Sequence, residues 1–367
     1  MHTALCDTLG IEHPIVGFTP SEHVAAAISR AGGLGVLGCV RFNDAEELDN
    51  VLTWMDKNTD GRPYGVDVVM PANVPTEGLP EDLNELIPAE HRVFVDRTLS
   101  ELGVPPLSDD VAAGVGVLGW LHSIARSHVD VAMGHPIRLI ANALGSPPVD
   151  VIEQAHRHGV SVAALAGKAE HALRHLDNGV DIVVAQGYEA GGHTGEIASM
   201  VLTPEVVGAV GDRAPVLAAG GIGSGAQMAA AMALGADGVW TGSCWLTTSE
   251  YTETVGESAM QRALLGASSS DTVRTRIYTG KPARLLKTRW TEAWAQPDAP
   301  EPLPMPLQNL LVSEAHQRIQ AAGDPDVVSM PVGQIVGRLN DVRPVADVMA
   351  ELLAGFDEAL DRLGKLR

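Results

Sequence analysis

The chain has 367 residues, three cysteines and a formal charge of −21, from 25 Lys+Arg against 46 Asp+Glu. That excess of negative charge repels nucleic-acid phosphates, and the widely spaced Cys6, Cys39 and Cys244 argue against a disulfide framework or a zinc knuckle and for a reducing compartment. No window holds about 18 uninterrupted apolar residues, so no membrane span is predicted, and the opening MHTALCDTLGIEHPIV lacks the pattern of a secretory signal, which predicts a cytoplasmic protein acting on a small molecule.

Short apolar, β-branched runs alternate with helical patterns along the chain. Ile15–Phe18 reads as a strand, followed by a helix over roughly Glu22–Ala31 that Gly32 and Gly33 stop. Gly35–Gly38 is the second strand, Asn43 the expected cap of a helix over Asp44–Lys57, and Tyr64–Val69 the third strand. The rhythm then breaks. Prolines at 71, 75, 80, 88, 105 and 106 mark an insertion over about 71–134, which returns through a helix near Asp110–Arg126.

The alternation resumes with strands at Ile137–Ala141, Ser161–Leu165, Asp181–Ala185, Pro215–Ala218 and Gly238–Thr241. The helices between them read as Val149–His158, Ala169–Asn178, one opening at Thr203 and Pro204, and Ala226–Leu234. Near-continuously apolar strands separated by helices imply a parallel sheet, and eight repeats are the number that closes a (β/α)8 TIM barrel. An open doubly wound sheet would want a glycine fingerprint after the first strand, where the chain has Gly17 Phe18 Thr19 Pro20. Residues 1–250 thus read as the barrel. Residues 251–340, rich in charge and proline, read as a helical lid. Residues 341–367 carry a last helix, Val345–Leu363, that should pack back on the barrel as its eighth after a cap-like Asn340 and Asp341.

A parallel barrel carries its chemistry at the C-terminal strand ends. AAGGIGSG (Ala218–Gly225) leaves the seventh strand and opens a helix, and TGS (Thr241–Ser243) ends the eighth. Glycines let backbone N–H groups approach an anion, and a helix N-terminus favours negative charge, so the two turns together suit a phosphate. Either turn alone would mark no more than a tight bend. The sixth strand ends in AQGYEAGGHTG, where Gln186 can donate and accept hydrogen bonds to a heteroaromatic edge. Gly187, Gly191 and Gly192 would let a flat ligand lie on the backbone, and His193 would project into the mouth as a proton donor or acceptor. The plain alternative is a surface histidine, one of thirteen. Glu189 reads equally as a structural carboxylate or an orienting partner. His122, His128 and His135 recur at six- or seven-residue spacing but lack a carboxylate or cysteine at ligand spacing, so no metal is expected.

AQGYEAGGHTG, PVLAAGGIGSG and GADGVWTGS resemble the nitronate monooxygenase family, FMN-dependent barrels related to flavin-dependent enoyl-acyl-carrier-protein reductases and NADH:quinone reductases. SRAGGLGVLG, YGVDVVMP, TGKPARLLKTRW, PLQNLL and MPVGQIVG extend the resemblance over nearly the whole chain apart from about 71–134. It implies that Gln186 and Gly191 contact the flavin and that Gly220, Gly221, Gly223, Gly242 and Ser243 hold the FMN phosphate. It further implies that His193 is the catalytic base or acid, and that Gln334 reaches the site from the lid. Trp240 and Thr241, beside the phosphate turn, are expected to flank the cofactor.

The chain also departs from the family. Gly17 Phe18 Thr19 Pro20 replaces a glutamine–alanine–proline–methionine run, and Asp67 stands where the family has a flavin-binding asparagine. The fourth strand ends in Ala141 Asn142 Ala143 rather than serines, and Asn142 is expected to restore a donor toward the flavin. From Arg274 to Arg289 inclusive the chain has six basic residues and no acidic one, so Arg284 and Lys287 are candidate contacts for an anionic substrate such as a coenzyme A thioester or a pyridine nucleotide. Structural pairing with the acidic surface is the competing reading.

Two flavin reactions follow from the resemblance. One is oxidation of alkyl nitronates by oxygen to carbonyl compounds. The other is NAD(P)H-dependent reduction of an activated alkene, quinone or acyl-CoA. A barrel lyase or isomerase for a phosphorylated sugar would use the same phosphate turns without flavin, and a flavin-binding barrel without turnover is a further alternative. A homo-oligomer is compatible with all of these.

Overall fold

The computed structural model describes residues 1–70, 80–107, 122–255 and 258–366. Its centre is a closed parallel barrel of β1 (Ile15–Thr19), β2 (Leu34–Gly38), β3 (Tyr64–Val68), β4 (Leu139–Asn142), β5 (Ser161–Ala166), β6 (Ile182–Gln186), β8 (Val216–Ala219) and β9 (Gly238–Thr241). The strands read as continuous apolar runs because both faces are covered. Val16, Leu34, Val36, Leu139, Ala163, Ile182, Val184, Leu217 and Trp240 fill the barrel interior, and a short helix, Ala4–Leu9, adds Leu5, Cys6 and Leu9 to that cluster from the N-terminal end.

The strand ends place the mouth. Asp67 pairs in register with Gly38 and Ala141, and Gln186 with Ala219, which in turn meets Trp240. Side chains alternate along a strand, so Gln186 shares the inward face with Val184, and Asp67 faces opposite to the outward-packed Val66 and Val68.

β6 runs on into the two-residue strand β7 (Gly192–His193). This pairs antiparallel with β11 (Ala283–Leu286), which pairs with β10 (Thr272–Thr275) in a second, three-stranded sheet. A separate apolar cluster sits against that sheet. Phe94, Val95 and Leu99 come from the segment after β3, and Leu285, Trp290, Leu311, Val312 and Ile319 from the segment after β9. The helix Leu307–Ala322 packs on Pro80–Glu85 and Ala89–Glu101, so two stretches far apart in sequence form one cap. The helix expected near Asp110–Arg126 lies partly outside the described residues; its described part runs His122–Ala132.

The last helix, Val345–Gly364, packs on the helix Gly225–Ala233 and on Glu22–Arg30, in the place of the barrel's eighth helix. The contact is close. A Cβ on Gly225 would collide with the backbone of Gly355 and Phe356.

Three local expectations are corrected by long-range partners. The helix expected to open at Thr203 and Pro204 runs Ser199–Val210, because the Glu189 carboxylate accepts from the Ser199 N–H (2.9 Å) and Oγ–H (3.0 Å) and starts the helix earlier. The cap of Ala45–Asn58 is Asp44, which accepts from the Glu47 N–H at 2.8 Å, rather than Asn43. Asn340 and Asp341 do not cap the last helix; Glu250 does so from another element, accepting the Val345 N–H at 3.0 Å. No described helix is long and apolar enough to cross a membrane.

Candidate active site

The loop after β6 is built by its glycines, though less for a ligand's sake than the sequence suggests. A Cβ on Gly187 would collide with Ser199, and one on Gly191 would lie 2.7 Å from the Val332 carbonyl carbon. The expectation that a flat ligand lies on these two glycines is therefore corrected: protein already fills that space. Gly192 has φ +74°, a left-handed conformation that favours glycine, and a Cβ there would meet only Pro331, at 3.9 Å. The segment after the cap closes on this loop. The Gln334 N–H donates to the Glu189 carbonyl (2.9 Å) and the Gly333 N–H to Ser243 Oγ (2.8 Å). Glu189, Gly191, Ser243 and Gln334 are thus brought together.

His193 stands opposite Ala283 in the small sheet, on the face that carries Leu285 and so the cap cluster. Its Nε2 lies 2.7 Å from Thr279 Oγ1. Burial, and secondarily the neighbouring Lys281 ammonium, push the imidazole down to about 4, so it is neutral near pH 7. Burial also lowers Lys281. Thr279 is a functional candidate that the sequence reading missed. The signal was TGKPARLL, in which only the basic residues were weighed.

The barrel mouth holds two polar side chains with no hydrogen-bond partner among the described residues: the Gln186 amide, partly exposed, and the Asp67 carboxyl, 4% exposed. Burial drives the Asp67 carboxyl well above the usual carboxylate range. Beneath them Trp240, 6% exposed, stacks on Phe18 with ring centroids 6.5 Å apart. Trp240 therefore floors the mouth from within the barrel core.

Beside the mouth, Gly220 (φ +94°) and Gly221 (φ +72°) make the turn out of β8, and Gln227 Oε1 accepts from the Gly223 N–H at 3.0 Å. No described residue takes the N–H groups of Gly221, Ile222 or Ser243. A Cβ on Gly242 would meet nothing closer than the Phe18 carbonyl oxygen at 3.9 Å. Two adjacent turns with free donors, one opening the helix Gly225–Ala233, suit a phosphate. The uncommitted amide and carboxyl suit the donor–acceptor edge of a flavin ring. The residues present therefore fit FMN.

Four expected contacts are corrected. Thr241 turns away from the mouth: its Oγ1 donates to the Val16 carbonyl (3.1 Å) and accepts from Trp245 Nε1 (3.0 Å). Asn142 is spent on backbone, accepting from the Met70 N–H (2.9 Å) and donating to the carbonyls of Met70 (3.2 Å) and Gly145 (2.9 Å). Its amide has no donor left for a flavin. Arg284, 2% exposed, donates from Nε (3.1 Å) and Nη2 (3.0 Å) to the Tyr188 carbonyl and from Nη1 to Thr272 Oγ1 (3.1 Å). Its guanidinium carbon lies 4.4 Å from the Tyr188 ring centroid. It braces the loop after β6 and is closed to a substrate anion. Lys287 is half exposed and lies 3.7 Å from Glu292, a surface pair. Of the three widely spaced histidines, His135 lies between Asp56 (2.8 Å) and Asp49 (3.2 Å), and His128 packs edge-on to Phe42.

Comparison with known proteins bears on what this arrangement does. The family model described as nitronate monooxygenase matches residues 2–355. The Mycobacterium tuberculosis protein named "Putative monooxygenase Rv1533" is 49% identical over 380 residues, covering 100% of this chain and 99% of the relative. Among solved structures, the nitroalkane oxidase of Streptomyces ansochromogenes superposes with TM-score 0.80 at 29% identity, over 98% of this chain and 100% of its own. FabK of Thermotoga maritima superposes with TM-score 0.74 at 26% identity, over 100% of both chains.

Proposed function

We propose that this chain, which belongs to the nitronate monooxygenase family of oxidoreductases, binds FMN in the barrel mouth and oxidises alkyl nitronates with oxygen to carbonyl compounds. The observation that carries the reading is His193, neutral and held by Thr279, on the cap side of a mouth whose Gln186 amide has no protein partner. The bound flavin would supply the electron-accepting chemistry. Gly221, Ile222, Gly242 and Ser243 would hold its phosphate, and Gln186 its ring.

The chain's own chemistry then falls to the histidine. An imidazole pushed down to about 4 is a weak base at neutral pH, below the range that best serves proton abstraction. It is better suited to orient an anion that arrives already deprotonated. The Thr279 hydroxyl decides how. If it donates to Nε2, the imidazole proton resides on Nδ1, which can donate to a nitronate oxygen; if it accepts, Nδ1 is left as a base. The first arrangement predicts a preference for nitronates over neutral nitroalkanes. The buried cap cluster behind His193 supports exclusion of bulk water from that side.

The reductase reading draws on the full-length likeness to FabK of Thermotoga maritima and on Asp67 in place of the family asparagine. A coenzyme A thioester loses its proposed anchors, since Arg284 is committed to Tyr188. Anaerobic mixing of the purified, FMN-loaded protein with a nitronate, NADH or NADPH separates the two. Bleaching of the yellow colour by the nitronate alone supports the oxygenase. Bleaching only by a pyridine nucleotide overturns it, and a colourless protein that takes up no FMN overturns both.

A further inference from the structure

Asp67 is a buried carboxyl that neither the fold nor the proposed turnover uses. It is the penultimate residue of β3 at the mouth, with Gly38 and Ala141 as its neighbours in register. Those two residues carry no polar group that could reach the carboxyl, and the Phe18 ring lies over Gly38, where a Cβ would meet it at 3.1 Å. Gln186 lies at the end of β6 across the same mouth.

No counter-charge faces it among the described residues. From the turn after β2 come Cys39 and Arg41. Burial raises the Cys39 thiol far beyond its ordinary range, so it stays protonated. Arg41 is committed to Glu22 at 2.6 Å and sits over the Phe42 ring at 4.1 Å. From the helix His122–Ala132, buried His128 packs on Phe42 and is lowered by burial, hence neutral. β4 contributes only the uncharged Asn142, already spent on backbone. An ionised carboxylate would have no cation and no described donor there, and a buried charge in that state is strongly disfavoured.

We propose that Asp67, standing between Gly38 and Ala141 in the barrel mouth, is a neutral carboxylic acid that donates its proton as a hydrogen bond to a carbonyl oxygen of the flavin ring, so that capture of FMN weakens as pH rises. The proposal rests on the FMN reading above. A protonated acid supplies the donor that the family's asparagine amide would supply, and it does so only while it keeps its proton. Once ionised it offers the flavin carbonyls only repulsion.

The test is FMN binding to the apoprotein, followed by quenching of FMN fluorescence between about pH 6 and about pH 9, the span in which buried carboxyls ionise. Riboflavin, which lacks the phosphate, serves as a second probe. Wild type should lose affinity for both ligands above the ionisation of Asp67, by about tenfold per pH unit at the steep end. Asp67→Asn, nearly isosteric and always a donor, should bind both with little pH dependence and match the wild type at the acid end. Parallel pH profiles for the two proteins overturn the proposal. So does an infrared spectrum of the wild type at neutral pH without a protonated-carboxyl band that Asp67→Asn removes. If neither protein takes up FMN or riboflavin at any pH, the flavin reading falls and this proposal with it. If both bind but only FMN is pH-sensitive, the phosphate is responsible and Asp67 is not.

Discussion

The two ends of the barrel are finished in opposite ways. At the N-terminal end Leu5, Cys6 and Leu9 plug the interior, and three carboxylates that open or flank the strands there are paired. Asp181 accepts from the Val162 N–H (2.8 Å), Asp237 from the Val216 N–H (2.8 Å), and Asp56 from the Tyr64 hydroxyl (2.6 Å). At the C-terminal end Asp67 and Gln186 have no described partner, and His193 is held by one hydroxyl. One end is completed by protein; the other leaves capacity for a ligand. A barrel can accept unsatisfied groups at the mouth because stability is drawn from the closed end.

The largest effect that would sharpen this contrast is on turnover. His193→Asn should lower kcat by about 100- to 1,000-fold, the worth of one preorganised donor to a reacting anion, while the melting temperature and the yellow colour persist; unchanged kcat would remove His193 from the chemistry. Leu9→Ala should do the reverse. It should cost about 2–5 kcal/mol of stability in a denaturant titration with FMN affinity intact in the folded fraction, and a selective loss of flavin would erase the distinction between the ends. Thr279→Val should cut kcat by about tenfold, the worth of one hydrogen bond, and shift the pH profile of kcat, with Thr279→Ser restoring both. A uniform KM effect without a pH shift would make Thr279 a packing residue only.

Acid should act at the cap and mouth. His193 and His316, which burial pushes down to about 4, are neutral when folded. The unfolded chain, titrating near 6.5, binds more protons below that pH. Stability that is fully present above about 6.5 is therefore lost as pH falls toward about 4. Urea midpoints should follow that course and flatten in His316→Asn. The smallest effect is Lys287→Ala, an exposed pair, expected to change stability by less than about 0.5 kcal/mol and to leave activity and its salt dependence unchanged.

The barrel was legible because its signal is local. Apolar runs such as VDIVVA and the glycines after them mark strands and turns within a few residues, and the strand boundaries shifted by only one or two positions. What was not legible depended on partners distant in sequence. Glu189 starts the helix at Ser199 and Glu250 caps the helix at Val345, which no local capping pattern shows. The same holds at the site. Gly187 and Gly191 looked free for a ligand because Ser199 and Val332 cannot be seen beside them in the sequence. Arg284 looked like an anion contact because a carbonyl partner, at Tyr188, leaves no charge pattern to read. Thr279 carries no signal until β7 is paired with β11.

The close crossing of Gly225 with Gly355 and Phe356 has a consequence for biosynthesis. The barrel's outer ring is completed by the twenty-residue helix Val345–Gly364, which is synthesised after every barrel element it packs against. Until then Met228 and Ala229 on one neighbour and Val24 and Ile28 on the other lie uncovered. A nascent chain stalled short of that helix would therefore be a client for chaperones and proteases.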